Sequence, residues 1–120
     1  MTPLDTLVAA YTEAIYFTDT GDTDQPAKST PLSAKTKADA YLQCRNFYWA
    51  VTENLNISPS QLDWAQVGHD LWLTRNRHGV GFWDRNDGVY GLGPNGEDLR
   101  TIFSAMAVAM GTYDAEFENA

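Results

Sequence analysis

Residues 68–85 read GHDLWLTRNRHGVGFWDR, and the way this run folds sets the class of the whole domain. Leu71 and Leu73 alternate with their neighbours at the two-residue period of a strand that buries one face. Residues 76–79, NRHG, bring together Asn and Gly, which tolerate the positive φ of a tight turn. The run therefore predicts a β-hairpin over residues 70–84.

Apolar residues at helical spacing predict four helices around this hairpin. The first begins at Pro3, because proline suits the first helical position. The predicted helices cover residues 3–17, 34–54, 60–67 and 97–110, with Ser33 capping the second and Gly68 ending the third. The second helix carries a dense apolar stripe and is expected to form the central element of the core.

The C-terminal segment predicts a third strand. Tyr113, Ala115 and Phe117 alternate with acidic residues, as in a strand with one buried and one solvated face. A lone hairpin is only marginally stable in water, so a strand beside it is physically required. The predicted fold class is α+β, with about four helices packed on a small antiparallel sheet made of the hairpin 70–84 and this strand.

Length and composition indicate one domain, residues 1–120, with an acidic loop at 18–30. Three aspartates in this loop (Asp19, Asp22 and Asp24) do not match a calcium-binding loop, because the glycine precedes the alternating pair and no glutamate occupies the twelfth position. The single cysteine, Cys44, lies among apolar residues and is expected to be a buried thiol. No metal or cofactor is predicted, since neither the histidine spacing nor the two Gly-x-Gly pairs form a known binding motif.

The charge balance bears on partners and location. Sixteen acidic and eight basic residues give a net charge of −8, which disfavours direct nucleic-acid binding over the whole surface without excluding a local basic patch. An acidic surface either keeps a protein soluble or occupies the nucleic-acid groove of another protein. With no basic leader and no long apolar run, the expectation is a cytoplasmic protein that does not enter the membrane.

The tip of the predicted hairpin is the main candidate site. Arg75, Asn76, Arg77 and His78 would place two or three cations on a rigid turn. Such a group suits a phosphate, a carboxylate or an acidic partner, but it is too small for strong nucleic-acid affinity. The tip is therefore predicted to be a binding site rather than a catalytic one.

Secondary candidates are the polar and aromatic residues around the tip. His69 and Asp70 resemble half of a general acid/base pair, with Arg85 available to stabilise an anion. The two histidines would lie about 20 Å apart along a straight strand, so they would not share a substrate. Local hydrogen bonding is the alternative for both, and no residue is assigned a catalytic role.

Two tryptophans add recognition candidates. Trp72 would support modest nucleic-acid binding together with the hairpin arginines. Trp49 belongs to the aromatic cluster of the second helix, which is either core with one exposed ring or a recognition face, and an exposed Trp49 would support the recognition face. An exposed Trp49 would also allow a homodimer.

The run 68–85 resembles a signature found in many short proteins of tailed bacteriophages, of the form GHDFWLTRNGHGAGFWDR. Here Leu71 replaces Phe, Arg77 replaces Gly and Val80 replaces Ala. Weaker similarity extends over most of the chain, including residues 12–17. The resemblance implies a phage or prophage origin and no particular reaction. Arg77 makes the turn more basic than that of the family.

Two functional hypotheses follow. The first is a cytoplasmic accessory protein that binds a host protein and inhibits or modulates it, for example a CRISPR complex or a restriction nuclease. The alternative is a small enzyme or anionic-ligand-binding protein that uses His69, Asp70 and the arginines. The absence of a catalytic motif favours the first hypothesis.

Overall fold

A computed structural model describes residues 1–18, 31–77 and 81–118. Its α-helices are α1 (Pro3–Thr18), α2 (Ala34–Trp49), α3 (Trp64–Arg75), α4 (Asp87–Tyr90) and α5 (Leu99–Met110). A π-helical turn (Ala50–Asn54) and two 3-10 turns (Pro59–Gln61 and Phe82–Asp84) complete them. The predicted acidic loop lies, apart from Thr18, outside the described residues.

Local capping explains where the first two helices begin, and both predicted starts are confirmed. At the start of α1, the backbone N–H of Asp5 donates to the Thr2 hydroxyl, while the Thr2 N–H donates to the Asp5 carboxylate, each at 3.1 Å. At the start of α2, the Ser33 hydroxyl accepts from the backbone N–H of Thr36 at 3.1 Å. These bonds satisfy backbone donors that have no partner within the helix.

The long predicted second helix exists, but its last turn is wider than an α-helix. The backbone N–H of Leu55 donates to the carbonyl of Ala50 at 3.0 Å, which is the five-residue spacing of a π-helix. Cys44, Phe47 and Val51 are buried along its inner face. The expected buried thiol is thus confirmed.

The predicted hairpin over residues 70–84 is wrong. Residues up to Arg75 belong to α3, which begins at Trp64 after the Asp63 cap, and Phe82–Asp84 form a 3-10 turn. The predicted bounds of the third helix, 60–67, are also wrong. The helix α3 begins at Trp64 and continues past Gly68 to Arg75. Leu71 lies in the buried stripe of this helix, whereas Leu73 is only half-buried. The buried residues of α3 are Trp64, Val67, Gly68, Asp70, Leu71, Trp72 and Arg75.

The predicted C-terminal strand is also wrong. One isolated antiparallel bridge joins Phe117 to Leu32, with the Ser33 N–H donating to the Glu116 carbonyl at 2.8 Å. The alternation of Tyr113, Ala115 and Phe117 reflects half-burial against the helical core instead of a sheet. With no hairpin to pair with, this segment is not a strand. Within the described residues the fold is all-α.

The core includes an aromatic cluster between α2, α5 and the 3-10 turn Phe82–Asp84. Phe82 is fully buried and stacks with Phe47 at a centroid distance of 6.1 Å. It also meets Phe103 edge to face at 5.5 Å and Tyr90 at 5.2 Å. Such ring pairs stabilise the packing beyond their buried area. Phe82 therefore anchors the turn that follows α3 to the last helix.

The tightest helix contact lies between α1 and α3 at Gly68. A Cβ atom at this position would lie 2.6 Å from the carbonyl oxygen of Leu7 and 2.8 Å from the backbone nitrogen of Tyr11. The absence of a side chain thus lets the two backbones approach closely. Gly68 is needed for packing rather than for a turn.

We predict that Gly68→Ala destabilises the protein by about 2 kcal/mol or more, because α1 must move to make room for the methyl group. Equilibrium urea denaturation provides the measurement. Gly88→Ala is the matched control, since nothing lies within 4 Å of a Cβ there, and it should have little effect or be slightly stabilising. Equal stability of the two variants would contradict the close packing of α1 on α3.

Candidate functional site

Asp70 lies at the centre of a buried polar cluster. Its side chain is fully buried and accepts from Arg85, whose Nη2 lies 2.7 Å and Nε 3.1 Å from the carboxylate. Gln66 donates to it from the preceding turn of α3 at 3.2 Å, and the Tyr90 hydroxyl donates from α4. The carboxylate thus accepts bonds from three segments of the chain.

This environment changes the protonation of the neighbouring groups. Burial, together with the negative charge of Asp70, raises the pKa of Tyr90 far above its usual range. The hydrogen bond to Asp70 raises the pKa of Arg85. Both effects keep Tyr90 neutral and Arg85 charged, which are the states that donate to Asp70. All the donors converge on one carboxylate, as expected for a structural ion pair.

The structure does not form the hypothetical acid/base pair. His69 turns away from Asp70 and meets Glu13 of α1, with 2.9 Å between its Nε2 and the carboxylate. Arg85, the proposed anion stabiliser, is engaged by Asp70. His69 and Arg85 do line one open cleft of about 330 Å³, but Asp63 lines it too, so an anion there would meet a carboxylate. The geometry gives no support to catalysis by these residues.

Arg75 is not at an exposed tip, because it is only 3% exposed and belongs to the core. Its Nε donates to the carbonyl of Gly111 at 2.8 Å and its Nη2 to that of Met110 at 3.2 Å. Its Nη1 donates to the Tyr11 hydroxyl at 3.0 Å and also to Gln43. Arg75 thereby places a positive charge at the C-terminal end of α5, which attracts cations.

The other predicted tip residues separate in the structure. Asn76 caps α3, and its side-chain oxygen accepts from the backbone N–H of Tyr113 at 2.8 Å. Arg77 is exposed and has a φ of 59°, in the left-handed region. His78 lies outside the described residues. Of the four, Arg77 is thus the one that the structure places on the surface.

The two candidate tryptophans have opposite environments. Trp72 is buried against Tyr11, and its indole N–H donates to the Thr18 hydroxyl at 2.6 Å, so it is not a surface for nucleotide stacking. Trp49 is 47% exposed, which both interpretations of its cluster allow. The guanidinium of Arg45 lies 4.6 Å from the Trp49 ring centre.

Trp83 is an exposed aromatic residue that the sequence analysis did not select as a candidate. It is 58% exposed and lines a shallow cleft of about 120 Å³ together with Arg77, Thr74 and Asp84. We call Arg77 and Trp83 the Trp83 surface. The sequence offered one signal, since Phe82 and Trp83 are adjacent and a single helical turn buries only one of two neighbouring rings.

The backbone around Trp83 is held firmly. The Phe82 N–H donates to the Thr74 hydroxyl at 3.1 Å, and the Gly81 N–H donates to the Asp84 carboxylate at 3.2 Å. A Cβ at Gly81 would collide with the Thr74 hydroxyl, so this approach requires glycine. Trp83 lies between two anchors, with buried Phe82 before it and Arg85, bound to Asp70, after it.

The described residues contain no group of three or more His, Cys, Asp or Glu side chains placed to hold a metal ion. Among them, no helix is long and apolar enough to cross a membrane. The sequence matches no family model, no curated protein and no solved structure.

We predict that Asp70→Asn destabilises the protein by about 3 kcal/mol, because it leaves Arg85 without its counter-charge and turns an amide donor towards other donors. Chemical denaturation measures the loss. Asp114→Asn is the control, since that side chain is exposed and should change stability by less than about 0.5 kcal/mol. A loss at Asp70 no larger than at Asp114 would argue against the buried cluster.

The protein should lose stability in alkaline solution. Burial raises the pKa of Tyr11, Tyr90 and Cys44 above their ordinary values, so these groups keep their protons in the folded state at pH values where the unfolded chain releases them. Their contribution is fully present below about pH 8.5 and falls as pH rises, by up to about 1.4 kcal/mol per pH unit for each group.

Urea denaturation between pH 8 and pH 11 measures this dependence. Tyr90→Phe should lower the stability at pH 8, because Asp70 loses a donor, and should also flatten the slope above pH 10 by about one proton. Tyr41→Phe, at an exposed position, should leave the slope as it is in the parent protein. An unchanged slope in Tyr90→Phe would contradict the burial of this hydroxyl.

Proposed function

We propose that this chain is a phage- or prophage-encoded accessory protein that binds a host protein through the Trp83 surface and modulates its activity. The resemblance of the run 68–85 supports the phage origin. The geometry supports binding over catalysis, because the described hydrogen bonds of Asp70 all come from donors inside the fold.

One observation carries the proposal, namely the exposure of Trp83 between two anchored neighbours. Phe82 is fully buried and Arg85 is bound to Asp70, so the backbone on both sides of the exposed ring is fixed. A segment whose backbone is already ordered loses less conformational entropy when a partner covers its exposed aromatic side chain. Tryptophan and arginine are also the residues that most often dominate binding energy at protein interfaces.

The negative net charge of the chain favours a partner with a basic surface. The chain has twice as many acidic as basic residues, with a net charge of −8. An acidic protein is attracted to proteins with basic surfaces, and nucleases and CRISPR complexes carry such surfaces where they bind nucleic acid. We therefore place the partner among host defence proteins of this kind, in the cytoplasm of the host.

We predict that the immobilised protein recovers one host protein in stoichiometric amount from a lysate of the bacterial host, identified by mass spectrometry. Trp83→Ala should weaken this recovery by about thirtyfold, a typical loss for a tryptophan hot spot. Trp49→Ala is the matched control, because it removes an exposed tryptophan that belongs to α2 and does not line the cleft beside Trp83. Recovery of nucleic acid alone, or equal recovery by the two variants, would contradict the proposal.

The biological consequence is measured by infection. Phage growth on a host that carries the recovered protein should be restored by the parent chain and by Trp49→Ala, but not by Trp83→Ala. Restoration by Trp83→Ala at parental level would separate any anti-defence activity from the Trp83 surface.

A further inference from the structure

Another cleft, of about 320 Å³, lies between α2 and α5 and shares no lining residue with the cleft beside Trp83. Phe47, Ala50, Met106 and Met110 form its apolar wall. The π-helical turn begins at Ala50, and turns of this type occur frequently at functional sites. Methionine side chains adapt their shape to irregular ligands. The wall is therefore suited to an apolar body.

The polar end of the cleft contains Arg75, Gln43 and Asn46 and no acidic residue. The partners of Arg75 are neutral, being two backbone carbonyls, the Tyr11 hydroxyl and the Gln43 amide. The carbonyls at the end of α5 compensate part of its charge, equivalent to about half a negative charge. In contrast to Arg85, Arg75 is a buried cation with no carboxylate partner among the described residues.

Hydrogen-bond donors also remain at this end. A guanidinium carries five N–H donors, and the described contacts of Arg75 use two on Nη1, one on Nε and one on Nη2. The Gln43 carbonyl oxygen already accepts from both Tyr11 and Arg75. These bonds fix the orientation of the amide, and its NH₂ group has no partner among the described residues. A carboxylate can accept hydrogen bonds from such unused N–H donors and also pairs with the positive charge of the guanidinium.

We propose that this cleft binds a small organic monocarboxylate with an apolar body. The carboxylate would accept from Arg75 and from the Gln43 amide, and the apolar body would lie against Met106 and Met110. A planar carboxylate matches the guanidinium geometry, and the wall excludes a ligand that is charged at both ends.

Methionine methyl groups report on the cleft directly. The chain has three methionines, of which Met106 and Met110 line the cleft while Met1 is 95% exposed at the N-terminus. The full-length protein labelled with ¹³C at the methionine methyls is titrated with 3-phenylpropionate. The signals of Met106 and Met110 should shift and saturate, while that of Met1 stays in place.

The neutral analogue 3-phenylpropanamide tests the role of the charge. A charge-assisted bond to Arg75 should make the carboxylate bind about tenfold more tightly than the amide, which corresponds to about 1.4 kcal/mol. Equal dissociation constants for the two compounds, or no saturable shift with 3-phenylpropionate, would overturn the proposal.

The second test fills the cleft with a larger apolar side chain and leaves Arg75 and Gln43 unchanged. Ala50→Leu should weaken the binding of 3-phenylpropionate by about tenfold or more, because the larger side chain enters the apolar wall. Ala38→Leu, at an exposed position on the same helix, should bind like the parent protein. Parental binding by Ala50→Leu, with Met106 and Met110 still shifting, would place the ligand elsewhere and refute the assignment.

Discussion

The buried carboxylate of Asp70 is the constraint on which the second half of the molecule depends. A carboxylate out of contact with water must be paired and fully hydrogen-bonded, and Asp70 takes its partners from α3, from Arg85 and from α4. Arg100 of α5 in turn donates to the backbone carbonyl of Arg85 at 2.8 Å. Residues 81–90 contain only short helical turns, so these bonds supply the positional order that regular structure does not.

The two buried charges of α3 have different consequences. Asp70 faces a cation, and its acceptor capacity is used by donors within the fold. Arg75, one and a half turns further along, faces neutral oxygen atoms, and part of its donor capacity remains. The paired charges of Asp70 and Arg85 hold segments of the fold together. Arg75 has no carboxylate partner among the described residues and lies beside an apolar cleft, so we expect it to attract an anionic group. The same helix therefore organises the Trp83 surface and the cleft between α2 and α5.

Several features were predictable because their causes are local. The start of α1, the Ser33 cap, the end of α5 at Gly111 and the burial of Cys44 follow from neighbouring residues or from helical spacing. The interpretation of residues 68–85 was wrong because Leu71 fits both a two-residue alternation with Leu73 and the helical spacing with Val67 and Arg75. The local sequence predicts that Gly68 ends a helix, but its role is to let α3 pack closely on α1, which lies far earlier in the chain.

The sequence by itself determined the helical segments with clear caps and apolar stripes, and the acidic charge. The tertiary structure alone decided which polar residues are buried and which aromatic residues are exposed. Arg75 and Arg77 look alike in the sequence, yet one is in the core and the other on the surface. Hydrogen-bond partners from distant segments make that difference, because the bonds that Arg75 donates to them offset much of the cost of removing its charge from water.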